Sequence, residues 1–168
     1  VPPEKIKVSA PDVGGGFGLK NFLFPEWVLL LWGAKKLGRP IKWVAERSED
    51  NSSALHGRDI TTDARLALDK DGRFLALEAH LTANMGAYLS AGGPNASTNA
   101  ASTAMGGVYN IPFVFMSSKG VFTNTTPVDA YRGAGKPEAN FIIERLIDIA
   151  AAKFNFDPVD LRLKNIIS

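Results

Sequence analysis

The stretch "PDVGGGFGLKNFLFPEW", residues 11–27, places four glycines within five positions. A run that alternates as a β-strand does precedes these glycines, and a run with helical apolar spacing follows them. Pro25 suits the first turn of a helix, and Glu26 suits the positive end of the helix dipole. The stretch therefore predicts a loop of bare backbone ahead of a helix, where free N–H groups attract an anion or an oxo group.

The segment "AYRGAGKPEA", residues 130–139, repeats the design of the first loop. Its glycines are followed by Pro137 and Glu138, and then by a long apolar helical pattern. Either loop by itself is also explained as a tight turn with a good helix start, and this alternative stays open. The spacing of the glycines argues against a nucleotide site, because neither G-x-G-x-x-G nor G-x-x-x-x-G-K-[ST] occurs.

The rest of the pattern predicts a single α+β domain over residues 1–168, with a mixed β-sheet and packed helices. Helices are predicted from Pro25, from Pro137 and within 157–167. Residues 47–58 are predicted to be a polar connection, and the small polar residues 86–107 a loop or a short helix. Strands are predicted over 5–11, 41–46 and 113–124, and a hairpin over 60–85.

The composition excludes several classes of protein. A net charge of +2 is too small to indicate nucleic acid or an anionic membrane as a partner. The longest apolar run, 27–34, is too short for a membrane segment, and the absence of cysteine excludes disulfides and thiolate metal sites. We expect a cytoplasmic protein. The opening "VPPEKIKV", without an initiator Met, predicts that the chain is a segment of something longer.

The two loops together carry a resemblance. "GGGFGLK" followed by "AYRGAGKPEA" resembles the molybdenum-cofactor-binding large subunit of the molybdenum hydroxylases. That family includes xanthine dehydrogenase, aldehyde oxidase, aerobic carbon monoxide dehydrogenase and bacterial N-heterocycle dehydrogenases. The segments "LGRPIKWVAERSED", "NIPFVF" and "ERLIDIAAAKFNFDPVDLRLKNII" follow in the family's order, so the resemblance covers essentially the whole chain.

The resemblance implies a cofactor site built from backbone. In the first loop, N–H groups would hold an oxo ligand of the molybdenum, and the residues implied are Gly15, Gly16, Phe17 and Gly18. The second loop would approach the metal centre from the other side with Arg132, Gly133, Ala134 and Gly135. No side chain of this chain is implied to bind the metal directly.

The resemblance also bears on the substrate. Purine-oxidising members have a glutamate where this chain has Asn21, and an arginine at a place that our register assigns to Ala100. Because both polar anchors would be missing, we expect an aldehyde or a neutral N-heterocycle in preference to a purine. The copper-containing carbon monoxide dehydrogenases have a cysteine where Gly133 stands, so the second loop is more similar to the copper-free relatives.

The implied activity is hydroxylation of an aldehyde or N-heterocycle carbon with water-derived oxygen. The implied cofactor is molybdenum-molybdopterin, in its simple or cytosine dinucleotide form. Iron-sulfur clusters and FAD would lie on other domains or subunits, and the implied partners are these, the rest of the large subunit and a small-molecule substrate. The family's catalytic glutamate and upstream glutamine fall outside 1–168, so we assign no catalytic residue and expect the isolated chain to be inactive. A non-catalytic assembly or scaffold domain of the same fold is the alternative.

Overall fold

The computed structural model describes all residues from 1 to 168. Its strands are β1 (Ile60–Leu68), β2 (Phe74–Gly86) and β3 (Phe113–Phe122). Its α-helices are α1 (Pro25–Leu37), α2 (Arg47–Ser53), α3 (Gly93–Ser97), α4 (Lys136–Phe154) and α5 (Pro158–Asn165). Three short 3-10 helices cover Pro3–Lys5, Leu19–Asn21 and Asn99–Ala104. No helix combines the length and the apolar character that a membrane crossing requires.

The three strands form one mixed sheet in the order β1-β2-β3. β1 and β2 are the predicted antiparallel hairpin, while β2 and β3 pair in parallel. The hairpin turn is closed by the Asp69 carboxylate, which accepts hydrogen bonds from the N–H groups of Asp71 and Arg73. The prediction of an α+β fold with a mixed sheet is confirmed.

The core lies between the inner face of the sheet and α4. Leu77, Ala79 and Leu81 alternate into this interior from β2, and they share one buried cluster with Ile143 and Ile147 of α4. Burying each large side chain of this kind contributes about 1.5–3 kcal/mol to the free energy of unfolding. The sheet and α4 are therefore the rigid base on which the loops are mounted.

A polar cluster fastens α5 to α4. The Arg162 guanidinium donates to Glu144 Oε2 and to Asp148 Oδ1, at 2.8 Å each. The Tyr109 hydroxyl donates to Glu144 Oε1 at 2.6 Å. Burial of the phenol, together with its hydrogen bond to this carboxylate, raises the pKa of Tyr109 to about 12.

Two strand predictions are wrong, and so is the prediction that residues 47–58 are only a polar connection. Residues 5–11 and 41–46 form no strand, because neither segment pairs with a neighbour in the chain and an alternating pattern alone does not make a ladder. Residues 47–53 form α2, whose start is stabilised by a reciprocal capping box between Glu46 and Glu49. Residues 86–107 hold α3 and a 3-10 helix, in line with the predicted short helix.

Candidate cofactor site

The first glycine loop offers unpaired backbone donors. The N–H groups of residues 14–18 donate to no acceptor in the chain. The loop then closes into a 3-10 turn, in which the N–H of Lys20 donates to Gly16 O at 3.4 Å and that of Asn21 to Gly18 O at 3.3 Å. Phe17 has a positive φ of 51°, which is uncommon for a residue with a side chain.

The glycines of this loop have different steric reasons. A Cβ on Gly18 would lie 2.7 Å from the backbone oxygen of Ala130, so packing within the chain needs this glycine. A Cβ on Gly15 would lie 2.8 Å from the outer edge of the Phe17 ring, which is exposed and can turn aside, so the reason for glycine there is its φ of +107°. A Cβ on Gly16 would meet nothing nearer than Lys20 Cβ, at 3.6 Å. The chain itself therefore leaves room for a side chain at Gly16, as it does at Gly14, where nothing lies within 4 Å.

The second loop, residues 131–135, is held more firmly. The N–H of Ala134 donates to Tyr131 O at 2.7 Å, and the N–H of Lys136 donates to Gly133 O at 3.1 Å. A Cβ on Gly135 would lie 2.3 Å from the carbonyl carbon of Ala100. The N–H groups between these bonds are unpaired, and they belong to Arg132, Gly133 and Gly135.

The structure brings the two loops together. Gly18 lies against the backbone of Ala130, and the rings of Phe17 and Tyr131 are 6.4 Å apart between centroids. These unpaired N–H groups therefore belong to two loops in contact, and an anionic or oxo-rich group is the natural partner of such donors.

The two residues predicted to lie near substrate have different surroundings. Asn21 is exposed at the end of the 3-10 turn that follows the first loop. Ala100 is half-buried and packs against Gly135 of the second loop. Both residues are thus next to a loop.

Sequence reasoning missed the carboxylate that anchors the approach to the second loop. Asp129 is only 2% exposed and accepts hydrogen bonds from Ser90 Oγ, from Gly92 N–H at 3.0 Å and from Ala130 N–H. No cation pairs with this carboxylate, so the three donors stabilise its charge. A charged residue inside the apolar-flanked run "TPVDAY" was the available signal.

Arg58 is the second residue that sequence reasoning missed. Its Nη2 donates to Arg132 O at 2.6 Å, its Nη1 lies 3.6 Å from Glu138 Oε1, and its guanidinium carbon lies 5.1 Å from the centre of the Tyr131 ring. Arg58 therefore contacts the start of the second loop and the first turn of α4.

Comparisons with known proteins identify the family. A sequence model of the molybdopterin cofactor-binding domain matches residues 1–166. The chain is 36% identical over its whole length to the gamma subunit of the 6-hydroxypseudooxynicotine dehydrogenase complex of Paenarthrobacter nicotinovorans. Over 99% of its length it is 37% identical to the carbon monoxide dehydrogenase large chain of Hydrogenophaga pseudoflava, and it covers 21% of each relative.

A solved structure agrees with the sequence comparisons. Quinoline 2-oxidoreductase from Pseudomonas putida 86 superposes with a TM-score of 0.86 and 38% identity, over 94% of this chain and 20% of that one. The chain belongs to the molybdopterin cofactor-binding domain family, and the resemblance to molybdenum hydroxylase large subunits is confirmed. The chain spans about a fifth of the length of these relatives.

The residues of the two loops fit a cofactor of this family. The space beside Gly16 is not filled by the chain. Most of the neighbouring unpaired N–H groups belong to glycines, so no side chain blocks the approach to them. Hydrogen bonding from backbone suits a group that brings its own metal ligands.

Proposed function

We propose that this chain binds the molybdenum-molybdopterin cofactor through the backbone of its two glycine loops. The observation that carries the proposal is the set of unpaired N–H groups on two loops in contact. Those that we assign to the cofactor belong to Gly15, Gly16, Phe17 and Gly18 in the first loop, and to Arg132, Gly133 and Gly135 in the second. Ala134 contributes by the shape of its backbone, because its own N–H is bonded to Tyr131 O.

When bound, the cofactor supplies a metal centre that activates a water-derived oxygen and accepts two electrons. The chain's own residues hold and orient that group. Fixed N–H dipoles stabilise negative charge on oxo groups without having to reorganise. The guanidinium of Arg132 adds positive charge beside the second loop, which favours an anionic ligand.

For the substrate, we propose an aldehyde or a neutral N-heterocycle. Asn21 and Ala100 carry no charge, so neither supplies the charged anchor that purine-oxidising members have at these places. The name of the quinoline 2-oxidoreductase indicates that an N-heterocycle is turned over on this fold. Iron-sulfur clusters and FAD, in our proposal, lie on other domains or subunits and carry the electrons away. The remainder of the large subunit supplies the catalytic base, and the chain alone is inactive.

The experiment compares Gly14 and Gly16, two glycines at which the chain leaves room for a side chain. Gly16→Val and Gly14→Val both enter open space, and neither glycine has a positive φ, so both variants of the full-length gene product should fold. If the cofactor approaches Gly16, its Val variant loses molybdenum and pterin to near background while the Gly14 variant keeps both. Metal and pterin content per folded polypeptide, beside a melting curve, decides the outcome. A Gly16→Val protein with full molybdenum contradicts the site.

A scaffold domain without cofactor remains the second candidate, because one observation favours it. Gly18 and Gly135 are each required by backbone contacts inside the chain, so packing alone accounts for them. This candidate predicts that the wild-type protein, produced in a host that makes molybdopterin, carries neither molybdenum nor pterin.

A further inference from the structure

We propose that Arg58 is a positioning residue for the second loop. Its guanidinium fixes the carbonyl of Arg132 and the first turn of α4, and thereby sets where the free N–H groups of the loop lie. The inference rests on the proposed function, because these N–H groups are the ones assigned to the cofactor.

Arg58 ends a segment that runs beside the approach to the second loop, residues 127–132. The N–H of His56 donates to Pro127 O at 3.1 Å, and the N–H of Asp129 donates to His56 O at 2.8 Å. A Cβ on Gly57 would lie 2.6 Å from Tyr131 Cβ, so only glycine lets Tyr131 pack this closely against the segment. The side chain of Arg58 adds a further bond to the same stretch, to the carbonyl of Arg132.

The guanidinium of Arg58 makes three contacts, which lie before and after the glycines of the second loop. Two of them, with Arg132 O and the Tyr131 ring, lie where the loop begins, and the third, with Glu138, lies just after the loop enters α4. A planar guanidinium serves several partners in fixed directions, whereas a lysine ammonium is a single point charge on a flexible stem. The arrangement therefore favours arginine for its shape as well as for its charge.

The backbone conformation of Arg58 also supports a positioning role. Arg58 has a φ of +70°, in the left-handed region that glycine adopts without strain. A residue with a side chain stays there only when its surroundings demand it, and such positions cluster at functional sites. The sequence thus keeps a large side chain at a place where glycine would be easier to accommodate.

The pair that Arg58 makes with Glu138 is poorly suited to a purely stabilising role. Arg58 Nη1 and Glu138 Oε2 are out of contact with solvent and have no hydrogen-bond partner, although 35% of the Arg58 side chain and 12% of the Glu138 side chain are exposed. A partly exposed ion pair at 3.6 Å, whose inner atoms lack hydrogen-bond partners, contributes little net stability. Placement of the loop gives the arrangement a reason that stability does not.

The test uses substitutions in the full-length gene product. Arg58→Gly removes the guanidinium and relieves the positive φ, so the variant should melt within a few degrees of wild type. Arg58→Lys keeps the charge and is the conservative variant. Arg65→Ala is the matched control, since Arg65 is an exposed arginine of β1 that pairs with Glu78 away from the loops. Two properties are measured: molybdenum and pterin content, and hydrogen exchange at the Ala134 and Lys136 amides.

We expect Arg58→Gly to exchange faster at both amides and to lose about tenfold in cofactor content, the usual cost of losing a supporting contact around a metal site. Arg58→Lys should recover part of both properties, and Arg65→Ala should match wild type. Unchanged exchange and content in Arg58→Gly overturn the inference, and so does a loss that only follows the loss of folded protein. A wild-type protein without molybdenum or pterin contradicts the proposed function instead, and the exchange comparison then decides about Arg58 alone.

Discussion

The chain contains two units of one design that end up in different environments. In each unit a glycine with positive φ precedes a helix that has proline in its first turn and glutamate close behind. α4 buries six residues against the sheet and the 99–104 helix, and they are Ala139, Ile142, Ile143, Ile147, Ala150 and Ala151. α1 has no buried residue at all.

The difference shows how two similar loops acquire different stiffness. The second loop has internal hydrogen bonds, a tightly packed Gly135 and the clamp of Arg58, so the chain itself determines its shape. The first loop touches the rest of the chain through Gly18 and Phe17, and the helix behind it is exposed. Regions with few buried contacts open at low free-energy cost, so we expect the first unit to be the more dynamic one.

The largest effect should come from filling the space at Gly135. In Gly135→Val, the added carbon would overlap the Ala100 backbone, 2.3 Å from its carbonyl carbon, at a φ of +82° that a β-branched residue does not tolerate. We expect a loss of at least about 4 kcal/mol in the free energy of unfolding, or no folded protein. Urea unfolding measures it. A loss below about 1 kcal/mol would show that the second loop is not rigid.

A matched pair of truncations tests the two helices directly. Ile147→Ala removes a fully buried side chain from α4 and should cost about 2–5 kcal/mol in the free energy of unfolding. Leu31→Ala truncates a side chain of α1 that is 75% exposed, and should change that free energy by less than about 0.5 kcal/mol. Similar losses in the two variants would mean that α1 is covered in solution, and the contrast between the units would disappear.

The smallest effect concerns the polar cluster behind α4. The pKa of Tyr109 is raised to about 12 in the folded protein, from the ordinary value of 10.0. The stabilisation from the protonated phenol is therefore complete below about pH 10 and is lost as the pH rises toward 12. Tyr109→Phe should cost about 1–2 kcal/mol at pH 8, because it removes a hydrogen bond to a carboxylate.

The pH dependence separates the ionisation of the Tyr109 phenol from a general loss of stability at alkaline pH. Between about pH 10 and 12, the free energy of unfolding of the wild type should fall by about 2 kcal/mol more than that of Tyr109→Phe. Denaturant titrations of both proteins at each pH give the comparison. Parallel curves for the two proteins would contradict the proposed role of the phenol.

The helices and strands that the sequence predicts correctly are those determined by residues close together in the chain. The hairpin around Gly72, the strand from Phe113 and the helices from Pro25 and Pro137 follow from period, turn chemistry and first-turn residues. The strands predicted over 5–11 and 41–46 fail because pairing requires a partner that pattern does not reveal.

The site is predictable in part for the same reason. The glycine motifs pointed to both loops, and the loops do lie in contact. The Arg58 bond to Arg132 O spans 74 residues of sequence, and the Asp129 bond to Ser90 spans 39, so neither leaves a local trace. The short helix at 47–53 is a different case, because its N-cap is Glu46, which is outside the usual Ser, Thr, Asp or Asn signature of a helix start.

The exposure of the first unit has a spectroscopic consequence. All three tryptophans of the chain, Trp27, Trp32 and Trp43, lie in or just after α1, and each is at least 36% exposed. Intrinsic fluorescence therefore monitors the first unit, whereas the far-ultraviolet circular dichroism signal is weighted toward the longer α4 and the sheet. The two optical signals offer a label-free way to watch the halves of the molecule separately, and they need not change at the same denaturant concentration.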